Sequence, residues 1–240
     1  MSEVEIAKPY VPFNSKRAIF ELLLVLAAFG AVYGFRYMII GPIEFEAINQ
    51  LGGKFYLMLF LSGLFVTLVT FLILFFDRQP LACVGLHFKK VKGDIFWAFS
   101  ALGSIYIVQL FIVMVLNLLW PQWLRQIQKE QINTIKMFPD ISIYYMILFT
   151  LFIGFYEEFI FRGFLITRLK VIFKNIWFAL FISSVIFGLI HFYEGAFAMF
   201  QIFTVAIVLG TVFILRKSLI APILIHWSFN LITFLLRYFM

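Results

Sequence analysis

Apolar residues in this chain do not alternate with polar ones. They run in long blocks, separated by short stretches that collect the charges, glycines and prolines. A block of about 20 residues, coiled at 1.5 Å per residue, matches a helix that crosses a hydrocarbon core of ~30 Å. Seven such spans are predicted, over roughly 18–40, 55–76, 95–120, 141–166, 176–192, 197–215 and 219–236. The segment 121–139, PQWLRQIQKEQINTIKMFP, is different. Leu124, Ile127, Ile132 and Ile135 recur there at near-helical spacing among polar neighbours, with Trp123 beside them. That is the pattern of a helix lying in the membrane interface, as an eighth helix that either rests on the surface or closes over an entrance. The expected fold class is all-α, a polytopic transmembrane helical bundle forming one integral membrane domain. Residues 1–140 would supply its first three spans and their loops, and 141–240 its last four.

Composition strengthens this picture. Of 240 residues, 64% are hydrophobic and 13% charged, with a mean hydropathy of +1.03, whereas soluble domains carry about 25% charged residues. The first sixteen residues hold Lys8, Pro9, Pro12 and Lys16 without a small-residue cleavage site, which reads as a retained signal anchor. The single cysteine, Cys83, leaves no internal disulfide and no cysteine-based metal cluster.

The net charge of +7 suggests an anionic partner until its distribution is considered. With the N-terminus in the cytoplasm, inside segments hold Lys8, Lys16, Arg17, Arg78, Lys89, Lys90, Lys92, Arg168, Lys170, Lys174, Arg216 and Lys217. The outside segments hold only Lys54, Arg125, Lys129, Lys136 and Arg237. Such asymmetry reports orientation, so membrane lipids are expected partners and nucleic acid is not. Lys89, Lys90 and Lys92, in the loop 77–94, are placed to meet anionic headgroups. His87, beside them, reads as solvated.

The last 90 residues add polar side chains within apolar spans: Glu157, Glu158, Arg162, His191, His226 and Asn230. The first two spans hold almost none. An ionised group at mid-bilayer costs at least ~2.5–3.5 kcal/mol, so a cluster of them faces the bundle interior or a cavity and is functional by default. Glu158 and Arg162 are four residues apart on one helix face, a self-neutralising pair. Glu157 is turned from Glu158 by about 100°, free to face His191, His226 and Asn230 across the bundle. At helical rise, Glu157 lies ~20 Å from Lys170, His191 ~24 Å from Asn175, and His226 ~14 Å from Lys217, so one layer can hold all three. Purely structural readings stand beside this, a packing ion cluster and hydrogen-bonded histidines.

A carboxylate, two imidazoles and an amide form a hydrolytic set, with a base for water and donors for an oxyanion. Two histidines with a carboxylate are also a ligand set for catalytic zinc. The His-Glu-x-x-His motif, a Gly-x-Ser-x-Gly elbow and a nucleotide-binding glycine loop are all missing.

The ordered motifs EEFIFR, FGLIH and HWSFN, on successive helices over about 141–236, resemble those of the CPBP intramembrane protease family. That family includes type II CAAX prenyl endopeptidases and bacterial Abi or bacteriocin-processing and immunity proteins. The resemblance implies Glu157 as the base activating water with help from His191, His226 and Asn230 as the oxyanion site, and Glu158 and Arg162 as orienting groups. It also implies either Zn2+, held by His191, His226 and Glu158, or a metal-free glutamate-dependent mechanism. The expected function is endopeptidase cleavage of a membrane-associated or lipidated protein or peptide, in a bacterial cell membrane. The alternative is a non-catalytic immunity or scaffold protein that binds a peptide or partner, and a proton-relay transporter ranks third.

Overall fold

The structure, a computed structural model, describes residues 14–40 and 51–236, with all their side chains except those of 39, 40, 130 and 133–137. The expected N-terminal anchor segment with Lys8, Pro9 and Pro12, the side chains of Ile135 and Lys136, and Arg237 lie outside the described residues. Every regular element described is helical: α1 (Ser15–Ile40), α2 (Gly53–Phe76), α3 (Val91–Leu119), α4 (Pro121–Met137), α5 (Ile143–Glu158), α6 (Ile166–Phe173), α7 (Ile176–Leu189), α8 (Ala196–Arg216) and α9 (Ile220–Leu236). Helices dominate because each apolar block must satisfy its backbone groups internally once water is excluded.

Among the described residues, five helices are long and apolar enough to cross a membrane: α1, α2, α3, the continuous rod from Ile143 to Phe173, and α8. Two shorter apolar helices, α7 and α9, stand at the other two predicted spans, so the expected polytopic helical membrane bundle is what the chain forms. The apolar helix α7 has 14 residues and the described part of α9 has 17, about 21 and 26 Å of helix. α7 ends early because the chain turns through the 3-10 segment Phe192–Glu194 into Gly195, whose φ of 94° is a left-handed conformation suited to glycine. Its start is fixed by Asn175, whose side chain accepts from the Trp177 and Phe178 amides at 2.9 and 3.1 Å. The helix α4 forms where an interfacial helix is expected, and it buries Leu124 and Ile127.

The outer faces present Phe75, Phe76, Phe99 and Leu118, as a lipid-facing surface requires. Inside, Phe159, Phe164, Ile166, Leu180 and Leu219 build the core around the rod. Two glycines allow close backbone approach on that rod. A Cβ on Gly163 would stand 2.8 Å from the Val84 carbonyl oxygen, and one on Gly154 would stand 3.1 Å from the Trp227 amide nitrogen. The second contact presses α9 against α5 beside Glu157 and Glu158.

The first span also carries a buried acid, contrary to expectation. Glu21 is fully buried in α1, and the equally enclosed Arg168 donates to it from Nε at 2.9 Å. Arg168 also donates to Gln79 at 2.7 Å and Thr167 at 2.9 Å, while Arg17 pairs with Asp77 at the end of α2. Arg168 is therefore an internal cation as well as a topology signal. A second group joins buried Asp94 of α3 to Arg216 at 2.7 Å and Ser218 at 2.8 Å. His87 is tied down too, with Nε2 2.9 Å from the Lys217 carbonyl oxygen.

Candidate functional site

The rod changes its winding at the motif. α5 is α-helical through Glu158, Phe159–Leu165 forms a π-helix, and α6 resumes the α-helix. A π segment leaves carbonyls without their usual partners, and polar side chains take them up. Ser183 of α7 donates to the Phe161 carbonyl at 3.0 Å, and Thr167 donates to the Gly163 and Phe164 carbonyls at 2.7 and 2.8 Å. The wider winding holds Arg162 inside the bundle, 2% exposed, with its guanidinium 4.4 Å from the centroid of the Phe187 ring.

Glu158 and Arg162 pair as their spacing predicts, Nη1 lying 2.8 Å from Oε1. The approach is an ion-pair contact whose angle is not that of a hydrogen bond, and Nη2 reaches the Ala206 carbonyl at 3.5 Å. The same Glu158 oxygen lies 2.7 Å from Nδ1 of His226, and its Oε2 is buried without a hydrogen-bond partner. On the other side of that imidazole, Nε2 lies 3.6 Å from Oε2 of Glu157. One histidine therefore stands between both glutamates. The two carboxylates, expected to point apart, converge on it because α9 packs tightly against Gly154.

His191 is placed differently. It is half-buried at the end of α7, with Nδ1 2.7 Å from the Phe187 carbonyl oxygen. The Phe187 ring touches both imidazoles, its centroid 4.8 Å from His191 and 6.0 Å from His226. Asn230 lies one turn beyond His226, half-buried, and its side chain makes no hydrogen bond to a described residue. Glu157, Glu158, Arg162 and His226 thus form one contact cluster, with His191 beside it across Phe187 and Asn230 above it on α9.

Sequence reasoning missed several neighbours. Tyr156 donates its hydroxyl to Oε1 of Glu157 at 2.9 Å. Tyr33 of α1, with Arg36 stacked 4.8 Å from its ring centroid, lies within the electrostatic reach of Glu157, as does Tyr193. Glu194 is joined to His191 through its backbone amide, 2.9 Å from the His191 carbonyl oxygen. Burial raises the Glu194 carboxyl above its ordinary range, an effect that His191 moderates. Only the position of Glu194, three residues after a motif histidine, hinted at such a role.

The three residues expected as zinc ligands are not gathered around one point in this arrangement. Among the described residues, no three His, Cys, Asp or Glu side chains are grouped to hold a metal ion. His226 spends Nδ1 on Glu158, and the Glu158 oxygen involved already faces the Arg162 cation.

Residues 139–232 match the family model described as type II CAAX prenyl endopeptidase Rce1-like. No curated protein and no solved structure matches the chain.

Proposed function

We propose, from the match of residues 139–232 to the type II CAAX prenyl endopeptidase Rce1-like family model, that the chain is an intramembrane endopeptidase in which Glu157 activates the attacking water. The observation that carries this reading is the buried His226 imidazole held between Glu158 and Glu157 at 2.7 and 3.6 Å. A proton on Nδ1 directed at Glu158 fixes the ring and turns Nε2 toward Glu157, the logic by which a buried carboxylate orients a catalytic histidine. Arg162 compensates the charge of Glu158 and keeps it in place.

Water bound beside Oε2 of Glu157 gives up a proton to that oxygen while its own oxygen attacks the scissile carbonyl. The oxyanion receives a hydrogen bond from the side-chain amide of Asn230, a donor of the kind that stabilises tetrahedral intermediates, while His226 Nε2, its proton being on Nδ1, accepts from the attacking water and holds it beside Glu157. Glu157 then returns the proton to the leaving amine. His191 flanks the water from across Phe187. The substrate class is a membrane-associated or lipidated protein or peptide, since the acid lies inside an apolar bundle that only membrane-partitioned chains reach.

The test is cleavage of a peptide panel, prenylated and unprenylated, by the protein purified in detergent, with and without chelator. Glu157→Ala and His226→Ala should lose cleavage and keep normal membrane expression, and chelator should leave the wild type active. Cleavage that persists in both variants would overturn the proposal. A Glu157→Gln protein that still protects or regulates a partner would establish the scaffold alternative.

A further inference from the structure

A glutamate's terminal torsion is broad and two-fold, so a carboxylate lining a cavity exchanges its two oxygens unless one is held. Glu157 is held. The Tyr156 hydroxyl donates to Oε1 at 2.9 Å, while Oε2 is the oxygen that faces His226 Nε2 at 3.6 Å. Adjacent residues on a helix do not face each other, so this contact requires something to steer the tyrosine ring. Two groups do so. Phe152 lies one turn back with its ring 5.5 Å away, and α2 presents Gly63, where a Cβ would stand 2.9 Å from Tyr156 Cδ1 and 3.0 Å from Phe152 Cε1. No larger residue leaves the ring where it is. A phenol is suited to the task, because it gives one charge-assisted hydrogen bond to a carboxylate without adding a charge.

We infer that Tyr156 is a positioning residue, which occupies Oε1 of Glu157 so that Oε2 takes the proton from water, and that Gly63 of α2 is the seat its ring requires. This rests on the reading of Glu157 as the base. The tyrosine keeps its own proton throughout, while the transferred proton rests on Oε2 until it passes to the leaving amine. The family match begins at residue 139, so Gly63 brings the N-terminal half into the site.

The experiment is steady-state cleavage of the panel's best peptide, with thermal unfolding in the same detergent. Tyr156→Phe keeps the ring and should lower kcat about tenfold with KM and unfolding temperature unchanged. Gly63→Ala displaces the ring and should lower kcat similarly, and the double variant should be no slower than Gly63→Ala alone. Wild-type kcat in Tyr156→Phe, beside an inactive Glu157→Ala, overturns this inference and leaves the base in place. Additive losses, or losses that follow a fall in unfolding temperature, also overturn it by showing a packing role. Cleavage surviving in Glu157→Ala, or no cleavage by the wild type, overturns both readings.

Discussion

Two buried ionic clusters flank the π segment of the same rod, and they are finished to different degrees. Around Arg168, each guanidinium nitrogen has an acceptor: Glu21, Thr167 and Gln79, at 2.7 to 2.9 Å. Around Glu158, one carboxylate oxygen carries two partners and the other none, and His226 meets Glu157 only at 3.6 Å. Burial of charge is costly unless compensated, so the first cluster is built to be left alone. In the second, hydrogen-bonding capacity is left over, and the proposed function assigns it to a water molecule and a peptide carbonyl. Comparable burial thus supports two purposes, and the completeness of the hydrogen bonding tells them apart.

Substitutions can break that contrast. The largest effect is expected at Glu157→Gln, with cleavage reduced by more than about a thousandfold and little change in unfolding temperature. Glu21→Ala should do the reverse, leaving Arg168 buried without its acid at a cost of about 3–5 kcal/mol. That loss would be read as a lower unfolding temperature and poor expression. Asp94→Asn should be milder, about 1–3 kcal/mol, because Arg216 retains partial access to solvent and a contact with the Lys90 carbonyl.

The smallest effect concerns pH. Burial works to raise the Asp77 carboxyl, but hydrogen bonding with Glu21 and with Arg17 outweighs it and holds the group below its ordinary range. A depressed carboxyl contributes stability that is present above its unfolded value of about 3.9 and lost as pH falls through the folded one. The difference in unfolding temperature between wild type and Asp77→Asn should therefore be flat from neutral pH down to about 5 and shrink below about 4. A difference that grows on acidification would contradict the pairing.

Much of this architecture was legible because apolar block length is a strong signal, and EEFIFR, FGLIH and HWSFN stood out against phenylalanine. Only the end of α7 was set a few residues too late, because hydropathy does not register the turn through Phe192–Glu194 into Gly195. The Glu21–Arg168 pair spans 147 positions, a separation that helical periodicity cannot connect. Tyr156 and Gly63 were hidden for a related reason. Their meaning lies in a contact between α2 and α5, and neither residue type is unusual in a membrane helix. The π segment could not be read from spacing, since Glu158 and Arg162 meet at i and i+4 as they would on an ordinary helix.

That segment has a consequence for chain length. A π turn holds one residue more than the α turn it replaces, and one residue is worth about 100° of rotation. Removing any single residue from Phe159–Leu165 would restore ordinary winding and swing Arg168 about 100° relative to Glu157. Either Glu157 and Glu158 or the Glu21–Arg168 pair would then be out of phase with its partners. The π turn acts as a phase shifter between two fixed ends, so this helix should accept volume-conserving substitutions among its buried phenylalanines far more readily than a deletion.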